Sequence, residues 1–327
     1  MPDLHNFKEL LLSFPDQLSL ALTLGEKIKL PKGISNILVV GMGGSGIAAD
    51  MLTAVLADQK ILVTACKDYQ LPSWVDGKTL VFCVTYSGDT AETLAAFSDA
   101  QKKKCPIICI TSGGNIKSFC DDQHIPCVVV PRGYPPRTAT GYLLIPMITI
   151  LERNGYVKGL IEQLRDAITH LSTAQLQAKG EQLAAKLKGK TPIIYGSPRM
   201  ACVAYRWKSE LNENAKSHAF YNIFPELVHN EILAYSTPQE GYYVYMLRDE
   251  KDSLALSKQM DKARDIIKSR GQEVMEIAFK GQSTIVKLFT AMHLGDWVSY
   301  YHAMNVGVDP YPVDLISELK KKTGERK

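Results

Sequence analysis

Residues 37–52 read ILVVGMGGSGIAADML: a short apolar run, a turn of glycines and one serine, then a helix-like run. Gly41, Gly43 and Gly46 satisfy the spacing G-x-G-x-x-G, which lets a backbone come close to a phosphate at a helix N-terminus. The stretch is therefore a strand–loop–helix unit of an α/β protein. A dinucleotide and a smaller phosphate ester are both compatible with these letters, so the flanking sequence has to choose.

Working outward, ILVTA (61–65), TLVFCVTY (79–86), PIICIT (106–111) and PCVVV (126–130) alternate with helical stretches near 45–57 and 90–102 and after the third run. Repeated βα order predicts a parallel sheet with helices on both faces, doubly wound. An Ala, Gln, Lys and Leu rich stretch from Leu160 to about Lys188 reads as a connection. TPIIYGSPRMACVAYRW (191–207) then repeats strand, turn and helix, with further strands at YYVYMLR (242–248) and EVMEIAF (273–279). The expectation is α/β with two domains of one class, residues 1–155 and 156–327, the second carrying the linker helix.

Composition narrows the function classes. With 327 residues, 46% hydrophobic and 22% charged, the chain can bury a large core without staples. The longest apolar run, Tyr142 to Leu151, is too short for a bilayer and contains Pro146, so no membrane association is expected. MPDLHNFKELLLSF at the start lacks the pattern of a signal peptide and reads as a docking helix. Seven cysteines form no C-x-x-C, and Cys66, Cys83, Cys109 and Cys127 sit in strand-like runs. They read as buried thiols of a reducing cytoplasm. Cys105 and Cys109 lack partnering histidines, so no metal is expected. Lys320, Lys321, Lys322, Arg326 and Lys327 less Glu325 give 5 − 1 = +4, the whole formal charge of +4. A neutral body with Lys102 to Lys104 as a solvated helix end offers no nucleic-acid face.

The loops decide between ligands. Asp68, in ILVTACKDYQLP (61–72), could hold a ribose and keeps a Rossmann oxidoreductase open. The next loop, FCVTYSGDTAETL (82–94), instead gathers Thr85, Tyr86, Ser87, Gly88 and Thr90 at the same sheet edge, and ITSGGN (110–115) has similar character. Hydroxyls and backbone N–H groups in adjacent loops suit the three oxygens of a phosphate monoester.

GMGGSGIAAD (41–50), VTYSGDTAETL (84–94), PRGYPPRTATGYLL (131–144), ELNENAKSHAFYNIFPELVHNEI (210–232) and DPYPVDLISELKKK (309–322) occur in this order over essentially the whole chain. In this it resembles the bifunctional phosphoglucose/phosphomannose isomerases, two-domain members of the sugar isomerase (SIS) fold group. The resemblance implies an aldose-ketose isomerase that interconverts glucose 6-phosphate, and with it mannose 6-phosphate, with fructose 6-phosphate through an enediol. It implies no cofactor, and a place in glycolysis and gluconeogenesis.

The same resemblance assigns residues. Gly43, Gly44, Ser45, Tyr86, Ser87, Gly88 and Thr90 form the phosphate cup, and Arg137, stiffly approached through Pro135 and Pro136, stabilises the enediolate. Glu213, which points away from the apolar stripe of Val203, Trp207 and Leu211 on its helix, is by the surrounding motif the base that moves the proton between C2 and C1, with Glu210 second. His229 opens the ring, imidazole being able to give and take a proton near neutrality, and it does so in the neighbouring subunit of a homodimer. A C-terminal lysine assists, Lys320 fitting best beside Lys321 and Lys322. Tyr311 stands where related chains often have threonine, so the resemblance carries glucose 6-phosphate more firmly than mannose 6-phosphate. A non-catalytic SIS sensor of sugar phosphates, a Rossmann oxidoreductase and a glucosamine 6-phosphate enzyme are the alternatives.

Overall fold

Two helices open the chain, α1 (Phe7–Leu12) and α2 (Phe14–Ala21), and they go separate ways. In this computed structural model, which describes residues 3–237 and 240–323, contacts divide the chain into two units. The first runs from Ser13 to Thr169 and includes the segment from Val313 onward. The second runs from His170 to Pro312 and includes the segment up to Leu12. Glu325, Arg326 and Lys327 of the basic tail lie outside the described residues.

The first unit contains β1 (Asn36–Val40), α3 (Gly43–Val55), β2 (Leu62–Cys66), β3 (Thr79–Val84), α4 (Ala91–Lys102), β4 (Ile107–Thr111), α5 (Gly114–Asp122), β5 (Cys127–Val129), α6 (Thr140–Arg153) and α7 (Leu160–His170). All strands pair in parallel, in the order β2-β1-β3-β4-β5. β3 is fully buried and β1 is buried beyond its first residue, which explains why they read as unbroken apolar runs. One face packs Ala96, Phe97 and Ala100 of α4 and Ile116 and Cys120 of α5 on Leu38, Val81 and Cys109. Because β1 leads outward to β2 and β3 starts the other way, a crevice opens beyond the C-terminal ends of β1 and β3.

The second unit contains α8 (Thr173–Ala185), β6 (Thr191–Gly196), α9 (Ala201–Ala215), β7 (Phe220–Ile223), β8 (Tyr242–Asp249), α10 (Leu254–Ser269), β9 (Val274–Phe279) and α11 (Thr284–Val306). Its strands are parallel in the order β7-β6-β8-β9. On one face Tyr195, Val244 and Met246 pack against Met260, Ala263 and Ile267 of α10. On the other, α11 lies so close to α8 and α9 that a Cβ at Gly180 would meet Trp297 at 2.4 Å, and one at Gly295 would meet the Trp207 ring at 2.2 Å. Phe7 and Leu11 of α1 complete this layer against Trp297 and Tyr300. The last helix, α12 (Asp314–Lys322), belongs to the first unit and buries none of its residues.

The predicted class, α/β with two parallel sheets flanked by helices, is what the molecule has. The expected single division at residue 155 is not where the contacts fall. Glu152 of α6 accepts the N–H groups of Gly159, Leu160 and Ile161 at 2.7–3.1 Å, so α7 stays with the first unit and is no linker. The boundary lies instead at Thr169 and His170, and both termini cross it.

Candidate active site

The first loop is shaped by what cannot fit in it. Gly43 has φ +52°, and a Cβ on Gly44 would lie 2.7 Å from backbone atoms of Pro136 and Arg137. No residue with a side chain lets these two backbones meet. The carbonyl of Met42 takes the N–H groups of Ser45 and Gly46 at 3.0 and 3.1 Å, which leaves Gly43 and Gly44 as the donors of the first turn of α3. Ser45, buried to 4% exposure, accepts the N–H of Tyr86 at 3.2 Å and keeps its own hydroxyl proton to donate.

The second loop follows β3 directly. Gly88, at φ +83°, turns the chain beneath Thr85, whose hydroxyl lies 2.9 Å from that of Thr90 at the start of α4. Ser87 is exposed and Thr90 half-buried. Tyr86 differs from the expectation: its hydroxyl donates to Pro131 O at 2.8 Å and accepts the N–H of Tyr134 at 2.9 Å. Its side chain thus tethers the segment that leads to Arg137, and it is built as a wall of the loop. In the third loop the hydroxyls are likewise engaged within the protein. Ser112 donates to Tyr86 O and Thr111 to Gly113 O, both at 2.7 Å, and a Cβ on Gly88 would strike Gly113 O. It buttresses the second loop.

Arg137 stands on a short 3₁₀ turn, Pro136–Thr138, and is only 2% exposed. Lys67, at the end of β2, lies along α3 with its Cε 3.2 Å from where a Gly46 Cβ would stand, and pairs with Asp50 at 2.5 Å. Burial raises the Asp50 carboxyl, against the pull of Lys67. In the letters, Lys67 is the residue that directly follows the ILVTAC run. Asp68 is exposed and accepts the N–H of Tyr69. In α12 all three lysines are exposed, and Lys322 pairs with Glu318, so Lys320 and Lys321 remain.

In the second unit, Val203, Trp207 and Leu211 are buried as the stripe requires, and Glu213 is half-buried near the end of α9. Its rival has another occupation. Glu210, 3% exposed, pairs with Arg206 at 3.2 Å and accepts from Asn214 at 2.8 Å, while Asp296 of α11 pairs with the same guanidinium at 2.8 Å. Burial pushes the Asp296 carboxyl up, but Arg206 and then His293 outweigh it and hold it below the usual range. His229 ends a 3₁₀ turn, Glu226–His229, anchored by buried Leu227, and is itself exposed. Among the described residues no group of three or more His, Cys, Asp or Glu is arranged to hold a metal ion.

A family model for the bacterial phospho-glucose isomerase C-terminal SIS domain matches residues 176–323. A bifunctional phosphoglucose/phosphomannose isomerase of Caldicellulosiruptor bescii is 36% identical over 96% of this chain and 98% of its own. The chain belongs to that family. The protein of the same description from Thermoplasma acidophilum is 36% identical over 88% of this chain and 89% of its own. In fold it matches the C-terminal domain of glucosamine-fructose-6-phosphate aminotransferase from Francisella tularensis, with TM-score 0.73, 16% identity and coverage of 94% and 98%.

The loops of the first unit bring Gly44, Ser45, Tyr86, Gly88, Thr90 and the backbone of Arg137 together at one sheet edge. Glu213 and His229 are carried by the second unit, on α9 and on the turn after β7. No helix is long and apolar enough to cross a membrane among the described residues.

Proposed function

We propose that the chain interconverts glucose 6-phosphate and mannose 6-phosphate with fructose 6-phosphate. The observation that carries this reading is the donor set at the crevice of the first sheet in a chain of this family. Two N–H groups at a helix N-terminus and short hydroxyls in the adjacent loop, Ser45, Ser87 and Thr90, suit a phosphate monoester.

In this reading His229 gives a proton to the ring oxygen and, in a successive step, takes the C1 hydroxyl proton, with Lys320 assisting. Glu213 takes the C2 proton and returns it to C1, and Arg137 stabilises the negative oxygen of the enediolate. The engagement of Glu210 with Arg206 supports Glu213 as the base, since a carboxylate locked in a buried ion pair is not available to swing between carbons. The exposure of His229 supports a homodimer in which it serves a second copy. All seven cysteines are free thiols, which suits the cytoplasm and sugar-phosphate metabolism there.

A coupled assay of fructose 6-phosphate formation tests the reading, on wild type and Glu213→Gln, from both aldose phosphates. Both substrates turn over, and the variant loses about 10²-fold or more, as for removal of a general base. Silence of the wild type on both substrates would replace the isomerase with a sugar-phosphate sensor.

A further inference from the structure

Along the open edge of the second sheet, beside β7, lies a cavity of about 520 Å³, within the usual range for small-molecule sites. Phe220 of β7 and Tyr242 at the start of β8 give it aromatic walls. Its polar end is ordered by three bonds. Tyr195, 0% exposed, donates its hydroxyl proton to Glu231 Oε1 at 2.8 Å, so the 2.8 Å contact between the Tyr195 and Tyr235 hydroxyls is donated by Tyr235. Asn222 Nδ2 donates to Glu231 Oε2 at 2.5 Å. Both phenol protons thus run inward toward the carboxylate, and what they leave for the cavity is acceptor lone pairs on Glu231 and Tyr235.

Lys208 of α9 lines the same cavity and makes no ion pair with Glu231 within 4.0 Å. Lys208 and Glu231 thus line one chamber without closing an ion pair on each other. A ligand that carries both charges closes both, and its ammonium also gains from the aromatic faces.

We propose that this cavity binds a small zwitterion, its ammonium on Glu231, its carboxylate or phosphate on Lys208, and its ring or apolar body against Phe220 and Tyr242. An amino acid and an amino-sugar phosphate share this chemistry. The inference stands apart from the isomerase reading, since it uses none of the residues assigned to that reaction.

Isothermal titration calorimetry on the full-length protein separates the sources, using L-phenylalanine and glucosamine 6-phosphate, with N-acetyl-L-phenylalanine as the probe that lacks an ammonium. At least one zwitterion binds at one site per chain, and the acetylated probe does not. Lys208→Met weakens binding about tenfold or more, and Glu231→Gln does the same, as expected for losing a hydrogen bond to a charged group. Lys208 is half-buried on a helix surface and outside the Glu231 hydrogen bonds, so its variant is informative even if Glu231→Gln folds poorly. Binding of phenylalanine identifies the amino-acid source, and binding of glucosamine 6-phosphate alone, weakened by Lys208→Met, identifies the amino sugar. Absence of binding by both, or binding unchanged in Lys208→Met, overturns the proposal.

Discussion

At the scale of single residues, Gly44 says most about the first loop. Because a Cβ there would press on the backbone of Pro136 and Arg137, and backbone yields little, Gly44→Ala should cost about 1–3 kcal/mol as an overpacked contact does. Thermal melts should show the loss, and the KM for glucose 6-phosphate should rise in the same variant; a variant with wild-type melting and KM would mean that the loop and the Arg137 turn are not pressed together. The glycines of this loop were legible in the sequence because their spacing follows from the chemistry of a phosphate at a helix end. The fate of the Tyr86 hydroxyl was not, since its two partners lie 45 and 48 residues away and no local pattern announces them. Glu210 and Glu213 look alike in the letters too. Only the meeting of Arg206 with Asp296, from a helix 90 residues on, sets their occupations apart.

Among the elements, the seam of α9 and α11 holds a buried cluster of charges. Arg206 is 2% exposed, and removing one of its carboxylates leaves a buried cation short of compensation. Asp296→Asn should therefore lower stability at neutral pH by about 3–5 kcal/mol, read from denaturant unfolding. The pH dependence has a definite sign. The native carboxyl of Asp296 lies below its ordinary value, so below about pH 4 the unfolded chain takes up the proton first. Stability from this group is complete above that pH and is lost as pH falls through the native value. In Asp296→Asn the fall on this acid limb should be shallower, and equal slopes in the two proteins would show that Asp296 does not carry it. The helices and strands themselves were readable from apolar periodicity, as with α9, whose stripe of Val203, Trp207 and Leu211 is buried as expected. What α7 packs on was not readable, because the three N–H groups that hold it are taken by a single side chain, Glu152.

For the molecule as a whole, the two-sheet architecture follows from repeated βα order, whereas the course of the termini does not. Phe7 and Leu11 look in the sequence like any amphipathic turn, and their partners Trp297 and Tyr300 lie at the other end of the chain. Phe7→Ala should cost about 3–5 kcal/mol, the usual loss for a buried phenylalanine. Trp207 and Trp297 are buried in the second unit while Trp74 of the first is 43% exposed, so tryptophan emission reports mainly on the second. A red shift at lower denaturant concentration is the expected signature in Phe7→Ala, and an unchanged midpoint would place α1 outside the second core. The crossing of both termini also bears on how a ribosome delivers this protein. Phe7 and Leu11 leave the exit tunnel well before α11 and stay without their partners until it has been made. Throughout that interval the nascent chain displays a greasy N-terminal turn, the kind of sticky surface that chaperones exist to shield.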